Sequence, residues 1–91
     1  MKFRKAFIMS YYSVHEGKLS LYGRVLKDLK RGDILRLFDY ADSVENCNFV
    51  IEKIKAYRRE FDEISEGMTC ELIVSGKMLV FKEDCLFYIE D

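Results

Sequence analysis

The residues of this chain that could do chemistry are few and scattered. His15 is the single histidine. It sits in the polar turn His15-Glu16-Gly17-Lys18. A general base there would need a nucleophile to deprotonate, and the sequence places none beside it. His15 therefore reads as an exposed turn residue, with a pH-sensitive contact as its functional alternative. The cysteines Cys47, Cys70 and Cys85 contain no CxxC pair. Their odd number does not suit a disulfide framework, and a zinc site would want about four closely spaced ligands. They read as reduced, mostly buried thiols. Asp39, Asp42 and Glu45 lack the ordered spacing and internal glycine of a calcium loop and read as a solvated acidic loop. Asp62, Glu63 and Glu66 read the same way. These observations predict no catalytic residues, no cofactor and no metal site.

A second kind of chemistry, recognition, has more material. Lys53, Lys55, Arg58 and Arg59 interleave with Ile54 and Tyr57. Basic and aromatic side chains in alternation are what RNA-binding sheets use, pairing phosphates while stacking bases. In a strand Lys53, Lys55 and Tyr57 would share one face. Tyr11, Tyr12 and Tyr22 fall on the first two predicted strands. If Tyr12 and Tyr22 both point outward they form an exposed aromatic patch of the kind that marks interfaces. The blander alternatives are a solvated strand face for the basic stretch and capped sheet ends for the tyrosines.

The 91 residues are 49% hydrophobic and include seven Phe and six Tyr. That supplies one modest core and reads as a single domain, 1–91. The apolar run after Met1-Lys2-Phe3-Arg4-Lys5 is too short for a signal peptide, and nothing approaches the ~20 apolar residues of a membrane helix. The expectation is a soluble cytoplasmic protein with no membrane partner. Net charge is −1, but it is unevenly spread. Residues 1–31 hold eight Lys/Arg against two acids, a net of +6, and residues 32–91 hold seven against fourteen, a net of −7. A basic face could meet an acidic partner or a phosphate backbone.

The elements that must position these residues are mostly strands. Phe3, Phe7, Met9 and Tyr11 share one parity, spoiled by Lys5. Leu19, Leu21, Gly23 and Val25 alternate with Lys18, Ser20, Tyr22 and Arg24. A turn at Lys30-Arg31-Gly32-Asp33 leads to a third strand from Ile34 to Phe38. A polar loop occupies 39–48. Residues 49–64 are ambiguous: Val50, Ile54, Tyr57, Phe61 and Ile64 have helical spacing, while a strand from Phe49 to Tyr57 competes. Apolar runs at 68–74, 78–81 and 85–89 complete a series of short strands with regular turns, the pattern of a small barrel.

The stretch Gly23-Arg24-Val25-Leu26-Lys27-Asp28-Leu29-Lys30-Arg31-Gly32-Asp33-Ile34-Leu35 resembles the signature of domain II of translational GTPases such as elongation factor Tu. There a strand ends in Gly-Arg-Val, and Lys-x-Gly-Asp or Gly-Glu opens the next. The similarity continues through Ile54 and Tyr57, Asp62 and Glu63, Gly67, then Cys70, Leu72, Val74 and Gly76, to a closing hairpin at Val80-Phe81-Lys82-Glu83-Asp84-Cys85-Leu86. It covers nearly the whole chain. Glu83 stands where that family usually has glycine, and residues 39–48 depart from its pattern. The resemblance implies a mainly β fold, a small antiparallel β-barrel, with residues 49–58 as strand and one short helical turn around residues 58–65. No GxxxxGK[ST] loop is present, so no nucleotide hydrolysis is implied.

In elongation factors this barrel touches the aminoacyl end of tRNA. The resemblance thus implies a non-enzymatic binding module, translation-associated, contacting RNA or a protein of the translation machinery. Lys53, Lys55, Tyr57, Arg58, Arg59, Tyr12 and Tyr22 form the candidate surface. The alternative is a protein-interaction module, such as an immunity or antitoxin protein that masks a toxin. Small size, charge-polarised halves and the acidic loop at 39–45 favour that second reading. An incompletely closed barrel would also leave an edge through which two copies could pair as a homodimer.

Overall fold

The computed structural model describes residues 2–38, 47–76, 81–82 and 84–90. The clean alternation of Leu19, Leu21, Gly23 and Val25 becomes strand β2, Lys18–Val25, with those four residues buried. It is flanked by β1, Phe3–His15, and by β8, Thr69–Gly76. The remaining strands are β3 (Leu29–Lys30), β4 (Ile34–Leu37), β5 (Cys47–Ala56), β6 (Arg59–Phe61), β7 (Glu63–Ile64) and β9 (Cys85–Glu90). All pairings are antiparallel. The main sheet runs β4-β9-β1-β2-β8-β5-β6, and β4 also pairs with β5. The strands thus ring round into a barrel-like fold, as the spacing of apolar runs and turns predicts. No helix of the described residues is long and apolar enough to cross a membrane.

The ring encloses one contiguous cluster of buried side chains. Its centre is aromatic. Phe49 on β5 and Phe87 on β9 meet edge to face at 5.8 Å, and Phe81 lies 5.7 Å from Phe49 and 5.9 Å from Phe87. Pairs at these distances add attraction beyond the area they bury. The seam between β4 and β9 is narrow, with Arg36 opposite Tyr88. There the Arg36 guanidinium lies over the Phe3 ring at 5.2 Å and pairs with Glu90 at 3.4 Å.

Bending long strands round so small a core needs bulges. β1 carries an extra residue, Ala6, against β9, and another, Ser10, against β2. β5 carries Glu52 as an extra residue against β8. Each insertion shifts the inward parity by one. The run Phe3, Lys5, Phe7, Met9, Tyr11 therefore does not share a face. Ala6, Phe7 and Met9 are buried, whereas Tyr11 is 59% exposed. The same effect hides β5 from periodicity. Cys47, Phe49 and Ile51 point inward, then Ile54 and Ala56. The helical spacing of Val50, Ile54, Tyr57, Phe61 and Ile64 is coincidental: Ile54 is buried while Val50 and Tyr57 are exposed.

The expected helical turn around 58–65 is instead the two strand segments β6 and β7. The backbone of 59–61 pairs with 54–56, and that of 63–64 pairs with 29–30. Arg31 N–H donates to the Asp62 carbonyl at 2.9 Å. These groups are committed across strands and leave nothing for bonds along a helix. The Lys30-Arg31-Gly32-Asp33 motif has a clear physical role. Gly32 takes φ of 91°, Asp33 Oδ2 accepts from Lys30 N–H at 3.0 Å, and Gly32 N–H donates to the Ile51 carbonyl at 2.8 Å. The turn is thereby bolted to β5 beside its bulge. The acidic loop 39–45 and Glu83 lie outside the described residues; the neighbouring Asp84 adopts φ of 59°, which a short polar side chain tolerates.

Gly23 faces Met9 at the edge of the Ser10 bulge. A Cβ there would lie 1.9 Å from the Ile8 carbonyl oxygen. Backbone cannot yield like the end of a side chain, so Gly23→Ala is expected to cost about 3 kcal/mol in a urea unfolding series. A cost below about 1 kcal/mol would show that β1 and β2 part readily at this point.

Candidate functional site

The outer faces of β1, β2, β8 and β5 form a shallow groove of about 610 Å³. Register builds it in rows. One row runs Tyr11, Tyr22, Glu71, Lys55, Glu60, across five strands. A second runs Ser13, Ser20, Ile73, Lys53. Ser20, only 6% exposed, and Ile73 lie at the groove's floor.

Aromatic chemistry lies at one side. Tyr11 and Tyr22 stack at 4.4 Å with their planes 10° apart, and Tyr22 O–H donates to Glu71 Oε2 at 3.2 Å. The expected patch of Tyr12 with Tyr22 is therefore corrected. Tyr12 turns toward the core, where its ring meets Phe81 edge-on at 5.0 Å. The Ser10 bulge makes this exchange by rotating Tyr11 outward and Tyr12 inward.

Charge lies at the other side. Lys18 Nζ donates to Glu52 Oε1 at 2.8 Å, reaching from β2 to β5 over β8. The β5 bulge supplies this contact, since Glu52 is the inserted residue. Hydrogen bonds from Lys18 and Ser75 hold the Glu52 carboxyl below its usual value of 4.5. Lys53 pairs loosely with Glu60 at 3.8 Å. Two carboxylates of this face pair with lysines, Glu52 with Lys18 and Glu60 with Lys53; Glu71 accepts from the neutral Tyr22 hydroxyl and keeps its charge, and Glu16 at the groove's rim has only His15 nearby, at 4.0 Å. Lys55, Arg58 and Arg59 make no ion pair with any described residue.

Of the residues singled out by sequence, the structure gathers His15, Lys53, Lys55 and Tyr22 around the groove. Tyr57 and Arg58 form the exposed tip of the β5–β6 hairpin rather than continuing the strand. Arg59 pairs with Ala56, a buried position, so strand parity puts Arg59 on the side opposite Lys55. Sequence reasoning missed Lys18, Glu52 and Glu71 as parts of the face. Glu71 was legible as the polar alternate of Cys70 and Leu72; Lys18 and Glu52 meet only through the bulge.

His15 ends β1, fully in solvent, with Glu16 4.0 Å away. Among the described residues no group of three His, Cys, Asp or Glu could hold a metal ion. Burial, and secondarily the Glu71 charge, push the Cys70 thiol up to about 12. Such a thiol stays protonated and unreactive at neutral pH. No protein-family model matches the chain, and no curated protein matches it.

The Glu52 contact gives a signed pH effect. A carboxyl with a lowered folded-state pKa adds stability above its unfolded pKa, and that increment is lost as pH falls through the folded value. Carbon-detected NMR titration should place the Glu52 midpoint below 4.5. In Lys18→Met the midpoint should rise and the acid limb of the stability curve should flatten. An unmoved midpoint would show that Lys18 and Glu52 do not meet in solution.

Proposed function

We propose that this protein is a non-catalytic binding module, of the translation-factor domain II kind, that contacts RNA through the groove and the β5–β6 hairpin. The observation that carries the reading is the charge bookkeeping of that region. Lys55 and Arg58 make no ion pair with any described residue, while Glu52 and Glu60 are taken up by Lys18 and Lys53 and the still-charged Glu71 accepts a hydrogen bond from Tyr22. Unpaired cations near stacked and exposed tyrosines suit a polyanion with flat bases. The sequence resemblance points the same way. Its Lys-x-Gly-Asp motif here makes a turn locked to β5, so the motif serves the scaffold, and the recognition surface is built elsewhere on it.

Affinity purification from native lysate, with and without RNase, tests the reading. RNA should be enriched with the wild type and lost with Lys55→Gln/Arg58→Gln. Against a short RNA oligomer, the log–log salt slope of the double variant should be shallower by about 1.4, at roughly 0.7 per lost phosphate contact. A stoichiometric protein partner that persists after RNase, with no RNA bound, would overturn this reading in favour of a toxin-masking module.

A further inference from the structure

The described residues contain two two-residue hairpin turns in which both central residues have positive φ. In the β1–β2 turn these are Glu16 at 51° and Gly17 at 75°. In the β5–β6 turn they are Tyr57 at 51° and Arg58 at 63°. Such turns match the twist of the flanking strands, and they favour Asn, Asp and Gly because other residues are strained at positive φ. The first turn uses glycine for its second position. The second uses a bulky aromatic and an arginine, each of which costs of order 1 kcal/mol or more in that conformation.

Core packing does not explain Tyr57. It is 75% exposed, the most exposed of the described large apolar side chains. Its neighbour Arg58 is also exposed and makes no ion pair with a described residue. A strained turn that presents an aromatic ring and an unpaired guanidinium to water is a local rule broken without a structural return, which is the mark of a recognition element. The two-residue turn places the ring at the hairpin tip.

We infer that Tyr57 is a stacking platform for an unpaired base, with Arg58 and Lys55 beside it taking the adjoining phosphates, so the ligand is single-stranded RNA rather than duplex. This rests on the proposed RNA-contacting role and specifies it. Duplex bases offer no free face at a hairpin tip, whereas every single-stranded base does. The Tyr11–Tyr22 stack lies in the same cross-strand row as Lys55, beyond Glu71, with Tyr22 two strand spacings away and Tyr11 three, roughly 10 and 14 Å at about 4.8 Å each. A strand of RNA leaving Tyr57 past Lys55 meets a second aromatic surface along the sheet.

The test uses fluorescence polarisation with three probes: labelled oligouridine, an abasic oligomer of equal phosphate number, and a duplex of equal length. Wild type should bind oligouridine most tightly. Tyr57→Ala should weaken that binding about tenfold or more, Tyr57→Phe should retain it, and neither should change binding of the abasic oligomer. The double variant Tyr57→Asn/Arg58→Gly keeps the turn and relieves its strain. It should melt higher than wild type yet bind oligouridine as poorly as Tyr57→Ala or worse. If wild type binds oligouridine and Tyr57→Ala binds it equally, or the duplex binds as tightly, the stacking inference is overturned while the RNA-contacting role stands. If wild type binds none of the three probes, that role fails and the inference with it.

Discussion

The backbones of β1 and β2 approach so closely at Gly23 that the Ile8 carbonyl oxygen occupies the space a side chain would need. One residue further along, β1 accommodates the extra Ser10. The two features belong together. A bulge crowds the facing strand, and only glycine leaves room for it. From that point on the parity of β1 is reversed. Phe7 and Met9 feed the core, while Tyr11 passes to the outside and meets Tyr22. The bends at Ala6 and Glu52 act alike on the other side of the ring. Curvature, core composition and the outer aromatic pair are consequences of the same small insertions.

The outer face shows how bulges turn geometry into electrostatics. Glu52 exists as an unpaired ladder position and so can lean across β8 to Lys18. That contact is exposed and contributes little to stability. Its effect is on the charge pattern. With Glu52 and Glu60 paired to Lys18 and Lys53, Lys55 and Arg58 are left without an ion pair to any described residue, although Glu71 and Glu60 stand opposite Lys55 in the ladder. Within a chain of net charge −1, the cations without an ion pair on this face lie beside the hairpin tip. Salt screens such exposed charges beyond about 10 Å, so they act at contact range on a bound polyanion.

Much of the fold was legible because inward alternation survives between bulges. β2 and β8 carry no irregularity against each other, and their alternation reads directly from Leu19 to Val25 and from Cys70 to Val74. The turns at Gly17, Gly32 and Gly67 were legible from glycine and charged neighbours. What sequence could not supply is where an extra residue is inserted, because an insertion changes pairing without changing composition. Tyr12 and Tyr11 exchange roles for that reason alone. The hairpin at Tyr57 and Arg58 was also hidden, since neither residue is a turn former. Its absence of turn chemistry is what now makes it informative.

The most direct measurement is amide chemical-shift mapping of the labelled protein during titration with single-stranded oligouridine. The account predicts saturable shifts concentrated at residues 53–59 and at Tyr11 and Tyr22, with the Arg36–Glu90 seam and the β3–β7 pair unmoved. Shifts centred on that seam or on β3–β7, or a spectrum unchanged at saturating RNA, would contradict it.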